Sequence, residues 1–369
     1  MPPGAALRID LGKRAGVASG ILGALAVLAE LCFLFPHALV FRDALPFYES
    51  HISLFRGLLF GVIVATFILG AASVALIRSR LYGAMGLVLG MVALLLGGSE
   101  ARAITSEPAS FTAGLDFFVL QLFLLGLVFV PMERLWLLHD QKIFRDGWQT
   151  DLAYFFASHV GIQLIALLTM IPAQVFFSWA LKLGFQQTVA AQPLWMQFVE
   201  ILVVVDFVSY WTHRAFHALP WLWKIHAVHH SSRHLDWLAG SRLHVVDVVV
   251  MRLVGFLPIF VGGFAPAAVY AYLAFISFHA VYIHANVTHR WPGLRHLLAT
   301  PEFHHWHHAA EEEAVDKNFA VLLPLLDRLF GTAYLPGRWP SRYGTIGDEV
   351  PEGWAAQLAY PFRRRRIEN

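Results

Sequence analysis

A single cysteine, Cys32, stands in 369 residues, so neither an internal disulfide nor a cysteine-built metal site can form within one chain. Charge is scarce as well. Only 14% of the residues are Asp, Glu, Lys or Arg, against about a quarter in soluble domains. The net charge of +2 is too small to draw in nucleic acid, which is excluded as a partner. No stretch alternates apolar and polar residues as a half-buried strand does, and no fixed-period repeat is visible. Flavin, haem and nicotinamide motifs are missing too, so any redox chemistry needs electrons from outside the chain.

What fills the sequence is apolar, at 57% of residues. Runs near the ~20 residues that cross a bilayer recur at 16–36, 55–78, 82–98, 114–132, 152–181 and 195–212. Backbone groups in lipid must be satisfied within the segment, which leaves helices as the spanning form. The expected fold class is all-α, a polytopic membrane helical bundle. The first run follows Arg8, Lys13 and Arg14 and is longer than the apolar core of a signal peptide, so it reads as a retained helix. With the N-terminus cytoplasmic, that side carries eight basic residues: Arg8, Lys13, Arg14, Arg78, Arg80, Arg134, Lys142 and Arg145. The opposite side carries four: Arg42, Arg56, Arg102 and Lys182. The bias obeys the positive-inside rule. Six crossings return the chain to the cytoplasm at His213. Two further runs, 245–262 and 266–284, flank Gly262, Gly263 and Pro266, and predict a helical hairpin leaving that face after His244 and returning near His284. The closing run Arg363 to Arg366 suits anionic lipid at the inner surface.

Between His213 and His308 lie 15 of the 19 histidines. His213 and His217 are spaced i, i+4, which puts both rings on one helix face. His226, His229 and His230 are spaced i, i+3, i+4, and His304, His307 and His308 repeat that pattern. Imidazole is the commonest protein metal ligand. One such cluster could be a set of hydrogen-bonded core or interfacial rings, but three with matched spacing point to metal. Eight rings exceed the need of one ion, so two ions in a helical cage are expected. Zinc catalysis uses about three protein ligands and an open position. An all-nitrogen cage beside lipid-facing helices points instead to iron handling dioxygen, because an unactivated lipid C–H bond resists acid, base and nucleophile. Asp206 lies two helical turns before His213, inside an apolar run, where an acid is costly and usually functional. Asp236, Asp247, Asp316 and Asp327 are further acids that could orient ligand rings. Glu311, Glu312 and Glu313 read as a solvated face. The alternative to an enzyme is a membrane metal transporter or metal-binding protein. Transporters place ligands near the bilayer midplane, whereas these clusters follow helix ends.

Over residues 145–335 the chain resembles the fatty acid hydroxylase/sterol desaturase superfamily of membrane diiron enzymes, in its bacterial sterol-desaturase-like branch. The resemblance rests on Asp206 to His217, Leu222 to Ser232, Ser241 to His244, His284-Ala-Asn286-Val, Thr300 to His308, Asp316 to Phe319 and Asp327 to Thr332. It departs at Val245-Val246, where many relatives carry Pro and then an acid, and at Ala320 in place of glycine. The resemblance implies a cytoplasmic histidine-rich diiron cap on the helical bundle, with His213, His217, His226, His229, His230, His304, His307 and His308 as ligands. It adds His244 and His284 to the cage and ring-supporting roles for Asp206, Asp247, Asn286, Asn318 and Asp327. His279 and His289 match more weakly, His305 lies off the pattern, and His234 and His296 read as surface. The implied organisation is 1–135 as scaffold helices, 136–335 as the catalytic domain and 336–369 as a cytoplasmic tail. The implied activity is O2-dependent hydroxylation or desaturation of a fatty acyl, sterol-like or ether lipid in a bacterial inner membrane. It would use two iron ions and an external donor such as a ferredoxin, cytochrome or reductase.

Overall fold

The computed structural model describes residues 3–41, 44–77, 80–103, 112–160, 175, 178 and 183–363. Among them the chain is helical, with no strand and only two isolated β-bridges, Leu137 to Val287 and Ala309 to Tyr343. Ten helices organise it: α1 Pro3–Leu34, α2 Ile52–Leu76, α3 Leu81–Leu96, α4 Leu115–Leu135, α5 Trp148–Val160, α6 Leu194–Ala218, α7 Pro220–His230, α8 Val245–Gly262, α9 Pro266–His284 and α10 Pro301–His307. Among the described residues, seven segments are long and apolar enough to cross a membrane: Leu11–Leu34, Ile52–Leu76, Leu81–Glu100, Leu115–Leu135, Leu194–Ala218, Val245–Gly262 and Pro266–His284. They include both arms of the expected hairpin, and the chain is an integral membrane protein. The expected span at 152–181 starts within α5, but most of it lies outside the described residues. So do Arg42, Arg78, Lys182, Arg364, Arg365 and Arg366 of the charge argument.

The chain forms two compact units. The first comprises Met1–Leu124 with His159–Gln163. In it α1, α2 and α3 pack together around Ala26, Leu59, Ile63 and Ala93. Small residues set the close approach that lipid-embedded helices need. A Cβ on Gly86 would lie 1.9 Å from Ser19 Oγ, and that hydroxyl donates to the Thr66 carbonyl at 2.7 Å.

The second unit comprises Leu125–Ser158 with Leu164–Asn369. Its centre is α6, which packs against α7, α8 and α9. Ile201 and Val205 of α6 meet Ala268 and Tyr272 of α9 in a buried cluster. The break between α6 and α7 follows from Pro220, which cannot continue a helix but suits the first turn of the next. Leu219 before it is extended, at φ −99° and ψ 118°. The chain therefore turns sharply and stacks the histidines of α7 on those of α6.

Candidate metal centre

Four helices of the second unit bring the histidines together. Helix α6 ends with His213 and His217, α7 carries His226, His229 and His230, α9 ends at His284, and α10 carries His304 and His307 with His308 as its C-cap. Thr300 starts α10, its hydroxyl accepting from Phe303 N, and Pro301 occupies the first turn. Two groups result. His213, His217, His226, His230 and His307 converge in one, and His229, His284, His304 and His308 in the other. Within each group the ring nitrogens lie within 4.8 Å of one another.

The hydrogen bonds on the outer ring nitrogens dictate what faces inward. A carbonyl can only accept, so His213 Nδ1 must donate to Phe319 O at 2.7 Å. By the same rule His307 Nδ1 donates to Lys317 O at 2.8 Å, His229 Nδ1 to Arg242 O at 3.1 Å and His284 Nδ1 to Ala280 O at 2.7 Å. His226 Nδ1 meets Asp247 Oδ2 at 2.6 Å, and His217 Nδ1 meets Asp316 Oδ1 at 3.3 Å. A ring holding its proton on Nδ1 presents a bare lone pair at Nε2. Those lone pairs point at each other. His213 Nε2 is 2.9 Å from His226 Nε2, and His284 Nε2 is 3.4 Å from His229 Nε2. The Nε2 atoms of His217, His230 and His307 are buried without any hydrogen-bond partner. Buried lone pairs facing one another are costly unless a cation lies between them, so the donor set fits metal ions.

Burial governs the ionisation of these rings. His226, His229, His230, His304, His307 and His308 are all pushed well below the usual imidazole pKa, first by burial and then by the closeness of other imidazoles, which opposes charging more than one of them. They stay neutral, the state a metal ligand requires. The unfolded chain takes up protons below about pH 6.5, while these folded rings refuse them, so stability falls as pH falls. Chelator-treated protein is therefore expected to lose thermal stability between roughly pH 7 and 5, and the metal-loaded protein to lose it with the same sign from a higher starting point. Melting curves of both forms across that range check it.

The surrounding acids act in two different ways. Asp247 holds a ring directly, and Asp247→Asn is expected to weaken metal retention or activity ~10–100-fold, measured as metal per chain after dialysis against a chelator. Asp206 holds no ring; its carboxylate accepts from Leu322 N at 3.0 Å and Leu323 N at 2.7 Å. Asp327 accepts from Phe319 N and Ala320 N, both at 2.8 Å, and from the Thr332 hydroxyl. Together they clamp the segment whose Phe319 carbonyl orients His213. Asn318 completes that loop. It sits at φ 58°, a left-handed geometry that asparagine tolerates, donates to Phe303 O and Tyr334 O, and accepts from Tyr334 N. Asn286 sits away from both groups, donating to His139 O and accepting from His139 N.

His244 belongs to neither group, contrary to the expectation from the resemblance. It is the N-cap of α8, its Nδ1 accepting from Val246 N, and its Nε2 donates to Leu358 O at 3.1 Å. An extended N-cap with Val245-Val246 behind it turns the ring back onto its own helix. Gly240, in the turn just before, instead makes room for His284, since a Cβ there would lie 2.9 Å from His284 Nδ1. His279 is buried on α9, stacked on Phe275. His289 meets the Tyr282 hydroxyl, His234 is half-buried and His296 is an exposed partner of Arg328. Of the acidic run, Glu312 and Glu313 are solvated, but Glu311 is buried and accepts from Ser341 N and Arg338.

Several supporting residues lie outside the ligand pattern. Asp151 on α5 pairs with Arg145 at 2.6 Å and with Arg242 at 2.5 Å, and Arg145 also pairs with Asp236 at 2.8 Å. Glu133 accepts from Trp237 N and Asn286 N. The Tyr343 hydroxyl bridges His305 Nδ1 at 2.8 Å and His139 Nε2 at 3.0 Å, while His305 Nε2 donates to Ala285 O beside His284. Trp223 lies 5.0 Å from His217, ring to ring, and donates to Asp348 at 2.7 Å. The stretch expected as a tail thus packs against the histidine helices.

A helical membrane protein whose crossing helices gather nine histidines into two lone-pair-lined groups belongs to the class of membrane-bound histidine-cage oxygenases. The chain is a member of the fatty acid hydroxylase family, whose model matches residues 198–332. It is 30% identical to an ornithine lipid hydroxylase of Rhizobium tropici over 64% of this chain and 71% of that protein. It is 33% identical to the human alkylglycerol monooxygenase over 35% of this chain and 28% of that protein. To a very-long-chain aldehyde decarbonylase of Oryza sativa subsp. indica it is 29% identical, over 35% of this chain and 21% of that protein. The chain thus spans under a third of the latter two relatives' length. No solved structure matches the chain at a significant level.

Proposed function

We propose that this enzyme uses two iron ions and O2 to hydroxylate or desaturate a membrane lipid. One ion is held by His213, His217, His226, His230 and His307, the other by His229, His284, His304 and His308. What carries the reading is the set of Nε2 lone pairs on His213, His217, His226, His229, His284 and His307, each turned inward by a hydrogen bond on the far side of its ring. Nitrogen-rich sites suit iron among the redox metals, and the relatives named for lipid hydroxylation supply the substrate class. Bound iron would supply the electron-transfer chemistry by which dioxygen is reduced and a C–H bond oxidised.

The chain's own residues do the rest. Carbonyls and carboxylates keep six of the nine rings in one tautomer and one orientation, and the buried setting excludes water from the cage. Hydroxylation consumes O2, two electrons and two protons, giving one hydroxyl and one water; desaturation gives a double bond and two waters. The electrons come from a separate protein, a ferredoxin, cytochrome or reductase. The charge bias of the connections supports an orientation with the cage at the cytoplasmic face of a bacterial inner membrane. The test is iron content and turnover under ¹⁸O2 with lipid extract as substrate. About two irons per chain and either one ¹⁸O per hydroxylated lipid or O2-dependent loss of two hydrogens are expected. Full activity without iron, or lipid products formed without O2, would end the reading.

A further inference from the structure

The first unit contains a cavity of about 330 Å³, within the ~300–1,000 Å³ range of ligand pockets. Its walls are apolar: Leu25, Ala29 and Phe33 of α1, Phe55 and Leu59 of α2, and Phe123 of α4. A mostly apolar hollow that opens between membrane-spanning segments is within reach of lipid hydrocarbon, which suits its walls better than water does.

Its position and its mouth say what. The cavity lies between helix segments that are long and apolar enough to span the membrane, near the ends where α1 finishes and where α2 and α4 begin. From Leu25 to Phe33 is about 12 Å of helix, close to the ~15 Å depth of one leaflet of hydrocarbon. The interfacial end carries both signs of charge. Arg56, in the second turn of α2, lies over the Phe33 ring at 5.9 Å, donates to Ser99 O and Ala101 O, and pairs with the exposed Glu100 carboxylate at 3.1 Å. The exposed Glu49 lines the same mouth, and Asp116 accepts from the Tyr48 hydroxyl at 2.8 Å within the lining. A cation and an anion at the rim fit a phosphate and an ammonium together.

We propose that this cavity holds one acyl chain of a zwitterionic, amine-bearing phospholipid, its phosphate at Arg56 and its ammonium at Glu49. The lipid is a resident and not a substrate, because no histidine lines the cavity among the described residues. The test uses the full chain, purified in detergent, washed, and examined by native mass spectrometry. The wild type is expected to retain one phosphatidylethanolamine-class lipid per chain. Ala29→Trp fills the cavity and is expected to lower its occupancy about tenfold or more, and Arg56→Gln to lower it severalfold, both with unchanged metal content. Metal content reports the folding of the second unit, and a circular dichroism melt reports that of the first. No retained lipid in the wild type overturns the proposal. So does a free fatty acid or an anionic phospholipid as the retained species, or equal retention in a folded Ala29→Trp protein. None of these results depends on whether the histidine groups hold iron.

Discussion

His304→Ala and His307→Ala are each expected to lower lipid oxidation by two orders of magnitude or more, the double variant being no slower than either single one. The two residues are three apart on α10, with ring centroids 5.3 Å apart, yet they serve different groups. His304 joins His229, His284 and His308, whereas His307 joins His213, His217, His226 and His230. Each substitution should therefore cost about one of two irons, and a different one. Losing an outer ring partner already costs ~10–100-fold, so losing the ring itself should cost more. Residues that act as one unit show non-additive losses, which is why the double variant adds nothing. Iron per chain, measured beside turnover, checks both claims. Either single variant with half the wild-type rate would refute the shared-centre reading.

Asp151→Ala should give the largest loss of stability, about 3–5 kcal/mol. Asp151 is fully buried between two guanidinium groups, those of Arg145 and Arg242. Without it, Arg145 keeps only the carboxylate of Asp236, and the buried Arg242 is left with no carboxylate partner. The damage should also reach the metal centre, because the Arg242 backbone carbonyl receives the Nδ1 proton of His229. Weakened retention of one iron should accompany the lower melting temperature. Thermal melts and metal analysis of Asp151→Ala beside Asp151→Asn check this. A shift under about 1 kcal/mol would show the network to be dispensable.

The histidine clusters were legible because helical spacing is a local property. An i, i+4 pair shares a face whatever lies opposite. The hairpin at α8 and α9 was legible for a similar reason, since two apolar runs and a Gly-Gly-x-x-Pro break need no knowledge of neighbours. Asp206 was found by its unusual setting, an acid in an apolar run, although its role proved indirect. It holds the segment that orients His213 and does not hold the ring. His244 shows the limit of carrying a pattern across. Its place in the motif was right for a ligand, but Val245-Val246 leaves it capping α8.

The sequence by itself determined the class of the protein: spanning helices from the apolar runs, and a metal-binding character from three matched sets of rings. Tertiary structure alone decided how the rings are shared. His229 and His230 are adjacent in the chain and go to different groups, because successive helical residues point about 100° apart and α7 lies between the partners on either side. Tertiary structure alone also chose the partners of the rings. Asp247, Phe319 and Lys317 reach rings 10 to 106 positions away, the intervals being 21, 106 and 10. Local spacing says which side chains share a face; only the crossing of the helices says what that face meets.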